Sequence, residues 1–244
     1  MKNKRVLLID ALNLFIRNYI VDPSLSTNGH PIGGAKGFIK SLQAVCRIIN
    51  PDLILVAWDG GSQKRKSMDK NYKAGRKPVR LNRDIHNMTA GEQEDNKNWQ
   101  QERIIEYLNE MPILQSYVEN VEADDIIALV SQSQALSEHH KIILSSDKDF
   151  IQLCDDTTIL YRPIQKEILN KKRILEQFQI HPTNFALARA IAGDKSDNLP
   201  GVGGAGLATI SKRFPFLSEE KAYTIQELVD YAENADSKLK VFKN

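Results

Sequence analysis

Residues 141–153, KIILSSDKDFIQL, join a short apolar run to two aspartates and then to a second apolar stretch. The run at 141–146 is bounded and aliphatic on both faces, which is typical of a strand buried in a parallel sheet. It leads directly into Asp147. The stretch therefore predicts a buried strand with an acidic residue at its carboxyl end.

Two other apolar runs have the same form. Residues 5–9, RVLLI, lead into Asp10, and residues 53–58, LILVAW, lead into Asp59, while residues 157–161 form a fourth candidate strand. Helical patterns lie between these runs at 33–50, 99–111 and 123–136. The alternation predicts an α/β fold with a parallel sheet. Because such sheets bind ligands beyond the carboxyl ends of their strands, the acids predict a site at that edge.

The composition is that of a globular protein of one large domain, with or without a small appendage. The chain has 244 residues, of which 41% are hydrophobic and 26% are charged, and its net charge is +2. The apolar runs are far too short to span a bilayer, so no membrane partner is expected. Cys46 and Cys154 lack metal-ligand spacing and suit a reducing cytoplasm, in a bacterial or phage-infected cell.

The positive charge is concentrated in one segment. Residues 64–83 contain nine Lys or Arg and one acid, within a polar stretch from 60 to 98. Such a run is usually a solvated face, but it also suits a phosphate-rich partner. After about residue 165 the strand patterns stop, and we expect a helical unit. Its helical patterns lie at 170–180, 182–193, 206–214 and 224–235.

Acidic residues form closely spaced groups along the chain. Each group alone is more often a helix cap than a functional site. Together they form a set of nine with only Lys148 and Lys195 between them, and nine converging carboxylates repel unless cations neutralise them. Oxygen ligands of this kind predict Mg²⁺ or Mn²⁺, as two ions about 4 Å apart that support in-line attack on a phosphodiester. The set comprises Asp10, Asp59, Glu122, Asp124, Asp125, Asp147, Asp149, Asp194 and Asp197.

The orientation of one acidic group depends on where its helix begins. Continuous helical spacing places Glu122 and Asp125 on one face and directs Asp124 elsewhere. If the helix begins near Asp124, Glu122 lies in the preceding turn and can also face inward. The sequence leaves both arrangements open.

A glycine loop, NLPGVGGAGLATI at 198–210, contains the spacing of a dinucleotide-binding fingerprint, Gly201-x-Gly203-x-x-Gly206. That fingerprint requires a strand before the loop. Residues 185–200 instead predict a helix followed by a turn, so a dinucleotide-dependent oxidoreductase is excluded.

Six motifs occur in a characteristic order between about residues 4 and 215: LLIDALNLFIR, VAWDG, NYKAGRK, VEADDIIALV, SSDKDFIQL and AGDKSDNLPGVGGAG. They resemble the 5′–3′ exonuclease/flap endonuclease family, especially its bacteriophage ribonuclease H-like and bacterial polymerase-associated members. The resemblance implies a PIN-like parallel sheet flanked by helices. It also implies a nuclease domain at 1–165 with a helical arch at about 60–98, and a helical unit at 166–244 with a helix–hairpin–helix.

The same resemblance assigns roles to individual residues. The first metal site matches Asp10, Asp59, Glu122 and Asp124, and the second matches Asp125, Asp147, Asp149, Asp194 and Asp197, partly through water. In the basic insertion, Lys73 matches a phosphate-steering lysine, Arg76 is the second cation, and Tyr72 positions the displaced strand.

The glycine loop then becomes the hairpin of the helix–hairpin–helix. Its residues Gly201, Gly203 and Gly206 bring backbone N–H groups to a duplex phosphate, and its carbonyl groups are a possible K⁺ site. Ala205 stands where the family often has a lysine, so phosphate contact relies on Lys212 and Arg213 as well.

The sequence favours a divalent-metal-dependent 5′ nuclease that removes flaps or RNA primers from branched or nicked duplexes. Its expected partners are branched or nicked DNA, RNA–DNA duplexes, and a replicative polymerase or single-strand-binding protein, and it is expected to be a monomer. A PIN-like single-strand ribonuclease and a DNA-binding module with an inactive metal site are the alternatives. A haloacid-dehalogenase phosphatase would need an acid at position 12, which is Leu12.

Overall fold

A parallel sheet forms the centre of the molecule. The computed structural model describes residues 3–74, 76, 79, 81 and 88–234. Within these residues one sheet has the order β3-β2-β1-β4-β5-β6, in which only the pair β5–β6 is antiparallel. The strands are β1 (Arg5–Asp10), β2 (Leu53–Trp58), β3 (Leu114–Tyr117), β4 (His140–Leu144), β5 (Thr158–Arg162) and β6 (Glu167–Leu169).

Helices cover both faces of this sheet. They are α1 (Ala11–Val21), α2 (Gly33–Ile49), α3 (Gln63–Met68), α4 (Ala90–Asn109), α5 (Ala123–Ser131), α6 (Lys171–Phe178), α7 (Pro182–Ala192), α8 (Leu207–Arg213) and α9 (Ile225–Asn234). Among the described residues, none of the helices combines the length and the hydrophobicity needed to cross a membrane.

The central strand β1 shows why the layers assemble in this way. Leu7 and Ile9 pack with buried side chains of α1, α2 and α4, while Val6 and Leu8 pack with those of α5 to α9. Successive side chains of a strand point to opposite faces, so an aliphatic run without polar alternation requires cover on both sides. The predicted parallel α/β sheet and its four predicted strands are confirmed.

Two strands were not predicted. The edge strand β3, with the sequence LQSY, is half polar and partly exposed, so it lacks the aliphatic pattern of a central strand. The short β6 pairs with β5 beyond residue 165, so the expectation that strands stop there is wrong. The helices that follow β6 bury Phe185, Phe214 and Leu228 in the same core as Val6, which joins the C-terminal helices to the sheet.

The polar insertion is shorter than predicted at its C-terminal end. Helix α4 begins at residue 90, where Thr89 and Glu92 form a capping box, and its first turns are polar because they are largely exposed. The described part of the basic insertion comprises α3 and the turn at 69–74. The rest of the predicted arch, at 75, 77–78, 80 and 82–87, lies outside the described residues.

Candidate active site

A cleft of about 480 Å³ lies at the carboxyl ends of the central strands. Most of the acids named above line it, and so do Lys73 and Arg76. Asp125 and Asp194 lie outside its lining. The acids that line the cleft are Asp10, Asp59, Glu122, Asp124, Asp147, Asp149 and Asp197. The parallel sheet thus brings together side chains that are up to 187 positions apart in the sequence.

Asp10 lies at the junction between β1 and α1. Its carboxylate accepts hydrogen bonds from the backbone N–H of Asn13 at 3.1 Å and from Ser145 Oγ at 3.0 Å. Burial raises the pKa of Asp10 to about 6, and the charges of Asp147 and Asp124 act in the same direction. The ionised form of Asp10 is therefore destabilised, and a bound cation would stabilise it.

Glu122 is the N-cap residue of α5 and lies deep in the cleft wall. Its carboxylate accepts hydrogen bonds from Lys73 Nζ at 2.7 Å and Tyr72 Oη at 3.1 Å, and it forms an ion pair with Arg65. Burial opposes ionisation, but Lys73 and Arg65 outweigh it and hold the pKa of Glu122 below its ordinary value. Glu122 therefore stays charged at neutral pH.

Tyr72 lies beneath the cleft, and its role in positioning the displaced strand stays a prediction. The residue is only 8% exposed, its hydroxyl contacts Glu122, and the Lys73 ammonium lies 4.9 Å from the ring centroid. Burial raises the pKa of Tyr72 to about 12. These contacts give Tyr72 a supporting role beneath the site and leave little of its ring free for a nucleic acid strand.

The turn that carries Lys73 is docked on the loop after α7. The Lys73 N–H donates to the Asp197 carbonyl at 2.9 Å, and Asn198 Nδ2 donates to the Asn71 carbonyl at 3.2 Å. Arg76 donates to the Ser196 carbonyl at 3.1 Å and forms an ion pair with the Asp197 carboxylate. These bonds fix both predicted cations of the cleft relative to the glycine loop.

Arg65 in α3 neutralises the acidic group at the start of α5. It contacts Glu122, lies 3.5 Å from Asp124 Oδ1 and donates to Asp125 Oδ1 at 2.7 Å. Helix α5 begins at Ala123, so Glu122 and Asp124 face the cleft while Asp125 lies outside its lining. The alternative in which Glu122 and Asp125 share the inward face is therefore wrong.

Arg189 in α7 makes an equivalent contact on the other side of the cleft. It lies 3.1 Å from Asp149 Oδ1, pairs with Asp194, and donates to the Gly193 carbonyl at 3.2 Å. Burial and the charge of Asp147 raise the pKa of Asp149, against the opposing charge of Arg189. Two of the predicted ligands of the second metal are thus already paired with an internal cation.

The basic partners of the acids come from outside the acidic motifs, as the sequence within those motifs predicts. Lys148 and Lys195, the bases within the motifs, form no ion pair with these acids among the described residues. Arg65, Lys73, Arg76 and Arg189 do so instead. Arg65 lies 57 positions from Glu122 and Arg189 lies 40 positions from Asp149, so no local pattern could reveal these two pairs.

The charge and the oxygen atoms of the acidic side chains suit a hard divalent cation. Among the described residues, however, these side chains are not yet arranged as a coordination site. Across the described part of the chain, Asp10, Asp59 and Asp147 are the acids of the set without an ion pair, and Asp124 makes only a long contact. Within the same residues, no three His, Cys, Asp or Glu side chains already converge closely enough to hold a metal ion. Metal ions at the predicted ligand sets would therefore require side-chain movement and exchange of the arginine contacts.

Arg17 and Lys97 were not predicted, although both line the cleft. Asn13 also contributes, because its Oδ1 accepts the N–H of Ser146 at 3.0 Å and ties α1 to the acidic turn after β4. Asp10, Asn13 and Arg17 follow the spacing i, i+3, i+7, which places them on one face of α1. That spacing is a signal from which Arg17 could have been found.

The glycine loop connects α7 to α8, which confirms that no strand precedes it. A Cβ on Gly201 would lie 2.1 Å from the Ala192 carbonyl oxygen, whereas Gly203 has nothing within 4 Å. Among the described residues, the backbone N–H groups of Gly203 and Gly204 donate to no protein acceptor. Ala205 is 4% exposed and packs in the core, so a lysine there would have no room.

The cleft combines carboxylates with lysine and arginine side chains, groups that suit metal ions and phosphate respectively. The sequence model of the family "5′-3′ exonuclease, N-terminal resolvase-like domain" matches residues 5–179. A 5′-3′ exonuclease of Aquifex aeolicus is 27% identical over 208 residues, which cover 84% of this chain and 67% of that protein. The thermostable DNA polymerase I of Thermus aquaticus is 30% identical over 85% of this chain, which spans only 23% of the polymerase.

A solved structure has the same fold. The D15 protein of T5 superposes with a TM-score of 0.75 at 18% identity, covering 98% of this chain and 83% of that one. The chain belongs to the 5′-3′ exonuclease family. It is a nuclease, an enzyme that hydrolyses phosphodiester bonds.

Proposed function

We propose that this nuclease uses divalent metal ions, Mg²⁺ or Mn²⁺, to cleave 5′ ends, flaps or RNA primers of branched or nicked duplexes. The observation that carries the proposal is the cleft in which burial and the nearby carboxylates of Asp147 and Asp124 disfavour the charge on Asp10, which a cation would neutralise. The T5 D15 protein was crystallised with metal ions, and as a flap endonuclease in a complex with DNA and metal ions, which supports the same chemistry here.

Separate roles are proposed for individual residues of the chain. Asp10, Asp59, Glu122 and Asp124 would hold the first ion. The proposed ligands of the second, partly through water, remain Asp125, Asp147, Asp149, Asp194 and Asp197. When bound, the ions supply an ionised water and stabilise charge on the phosphodiester. Because Glu122 holds the pKa of Lys73 above its ordinary value, Lys73 acts as a fixed cation toward the phosphate rather than as a base.

Recognition of the duplex is assigned to the glycine loop and α8. The unpaired N–H groups of Gly203 and Gly204 are exposed at the surface, as phosphate donors must be. Gly206 is the N-cap residue of α8, and Lys212 and Arg213 lie in the last turn of this helix. We propose a helix–hairpin–helix made of α7, this loop and α8, with K⁺ at its carbonyl groups as a finer proposal.

The first prediction separates the two kinds of glycine in this loop. Gly203→Ala is expected to fold normally, because its Cβ meets open space, and to bind duplex DNA about 5-fold or more weakly, because the methyl group obstructs a phosphate contact. Gly201→Ala is expected to lower the Tm by several degrees, since its Cβ collides with the Ala192 carbonyl. Thermal unfolding and fluorescence anisotropy measure the two effects. Unchanged duplex affinity in Gly203→Ala would remove the loop from the DNA interface.

The second prediction tests the proposed reaction. A 5′-labelled flap and a nicked RNA–DNA hybrid are incubated with Mg²⁺, Mn²⁺ or EDTA, beside an unstructured single-stranded RNA. We expect metal-dependent cleavage of the two structured substrates and about 10-fold or greater discrimination against the single strand. Cleavage in EDTA contradicts the metal proposal. Preferred cleavage of the single strand would support a PIN-like ribonuclease instead, and binding without cleavage would support an inactive DNA-binding module.

The remaining parts of the proposal concern the cellular setting. We propose a monomer that works in the cytoplasm on replication intermediates, beside a polymerase or a single-strand-binding protein. The match to 23% of the length of a DNA polymerase I supports the setting.

A further inference from the structure

An isoleucine lies in a cleft that is otherwise rich in charge. Ile164 is on the turn at 163–166 that joins β5 to β6, and it lines the same cleft as Asp10 and Asp147. Its side chain is 51% exposed. An exposed apolar residue on a surface turn needs no explanation by itself, but one at the edge of a substrate cleft contacts whatever enters.

The turn that carries Ile164 is held in place by the strands beside it. Arg162 and Glu167 are cross-strand partners and form an ion pair at 3.0 Å. Arg162 is 7% exposed, and its other terminal nitrogen lies 3.4 Å from the Ser146 carbonyl, next to Asp147. The hairpin is therefore connected to the acidic turn after β4, so the position of Ile164 is fixed relative to the carboxylates.

Ile164 has apolar neighbours in the cleft lining. Leu12 and Ile16 of α1 line the same cleft and are partly exposed. They follow β1, whereas Ile164 follows β5, and β4 lies between these two strands. Strand ends two positions apart are separated by roughly 10 Å. The cleft thus presents apolar side chains from both flanks of the β4 carboxylates.

A nucleotide has one charged part and one flat, largely apolar part. The phosphate suits the lysine, the arginine and any bound metal, whereas the flat face of the base suits the apolar side chains. Apolar side chains, including Ile and Leu, are used by proteins to contact bases and separate them from their stacked neighbours. Contacts with a base face tolerate any sequence.

We propose that Ile164 contacts the nucleobase adjoining the scissile phosphate, together with Leu12 and Ile16, and so selects an unstacked nucleotide for cleavage. This inference rests on the proposed nuclease function and names a specificity-determining residue for it. Recognition of the base face makes cleavage independent of sequence but dependent on the presence of a base.

The test compares Ile164→Ala with Ile168→Ala on the same hairpin. Ile168 is 40% exposed but does not line the cleft, so it is a matched control. Single-turnover cleavage in Mg²⁺ is measured on flaps with normal bases and on flaps with an abasic site on either side of the scissile phosphate. We expect Ile164→Ala to slow cleavage of the normal flap about 10-fold. The abasic flaps should be cleaved by this variant and the parent within 2-fold, and Ile168→Ala should match the parent throughout.

The outcomes distinguish this inference from the proposed function. If the parent cleaves the flap and Ile164→Ala loses activity equally on normal and abasic flaps, the base contact is wrong. An equal loss in Ile168→Ala would assign the effect to the hairpin as a whole and also overturn the inference. Absence of cleavage by the parent in Mg²⁺ overturns the nuclease proposal first. Thermal unfolding of both variants, expected within 2 °C of the parent, excludes a folding defect.

Discussion

Replacing Asp10 by asparagine is expected to abolish cleavage and, in metal-free buffer at neutral pH, to make the fold more stable. The loss of cleavage follows from the loss of a central carboxylate ligand, which we expect to cost about 1000-fold or more in single-turnover rate. Asparagine preserves the acceptor for the Asn13 N–H, and its amide can donate to Ser145 Oγ. The local hydrogen bonds are therefore retained while the charge is removed.

The gain in stability follows from the raised pKa of Asp10. The folded value of about 6 exceeds the ordinary value of 3.8, so the folded state binds this proton more tightly than the unfolded chain. That contribution is fully present below about pH 4 and is lost as the pH rises through 6. Asparagine does not ionise, so the variant keeps this contribution to stability as the pH rises. The gain at pH 7.5 has a ceiling of about 3 kcal/mol, and it disappears near pH 4.

Thermal unfolding at pH 4 and pH 7.5, with and without Mg²⁺, measures this effect beside the cleavage rate. Mg²⁺ should stabilise the parent more than the variant, so the difference in stability between the two proteins should be smaller when Mg²⁺ is present. Asp156→Asn is the control, because Asp156 is an exposed residue outside the cleft whose ion pair with Lys171 contributes little. Retained cleavage, or a variant less stable than the parent at pH 7.5 without metal, would contradict the assignment of Asp10.

Replacing Lys73 by alanine is expected to lower the single-turnover rate about 100- to 1000-fold. Loss of one donor to the charge that develops in the transition state costs about 2.7–4 kcal/mol. The fold should survive, because Glu122 keeps its contacts with Arg65 and Tyr72. Duplex affinity should change by less than 3-fold, since the proposed duplex contacts lie on the glycine loop and α8.

Lys148→Ala is the matched control for this prediction. Lys148 lies between Asp147 and Asp149 in the sequence, but its ammonium lies 6.0 Å from the Phe178 ring centroid and outside the cleft lining. Rates are measured from pH 6 to 9. Because the pKa of Lys73 is raised, no loss of rate from lysine deprotonation is expected in this range. A normal rate in Lys73→Ala, or an equal loss in Lys148→Ala, would remove Lys73 from the mechanism.

The centre of the fold was predictable because its signals are local. Strands β1, β2 and β4 are aliphatic runs that must be covered on both faces, and the sequence marks them clearly. The strands β3 and β6 were missed for the converse reason. They lie at the two edges of the sheet, where fewer side chains are buried, so half-polar or very short segments suffice.

The same distinction between local and long-range signals applies to the candidate site. Acids that directly follow predicted strands, such as Asp10 and Asp59, could be placed at one edge from the strand pattern alone. The pairs of Arg65 with Asp125 and of Arg189 with Asp149 could not, because they depend on how distant parts of the chain pack. Burial of Tyr72 was likewise invisible, since its partner Glu122 lies 50 positions away. The ligand assignments themselves stay predictions.

The order of strands has a consequence for how the enzyme emerges from the ribosome. The sheet places β1 between β2 and β4, so both neighbours of β1 are present only when residue 144 has been synthesised. The last acid of the cleft, Asp197, comes about 50 positions later, and the core also includes Leu228. The full set of cleft carboxylates can therefore assemble only after most of the described chain has been made.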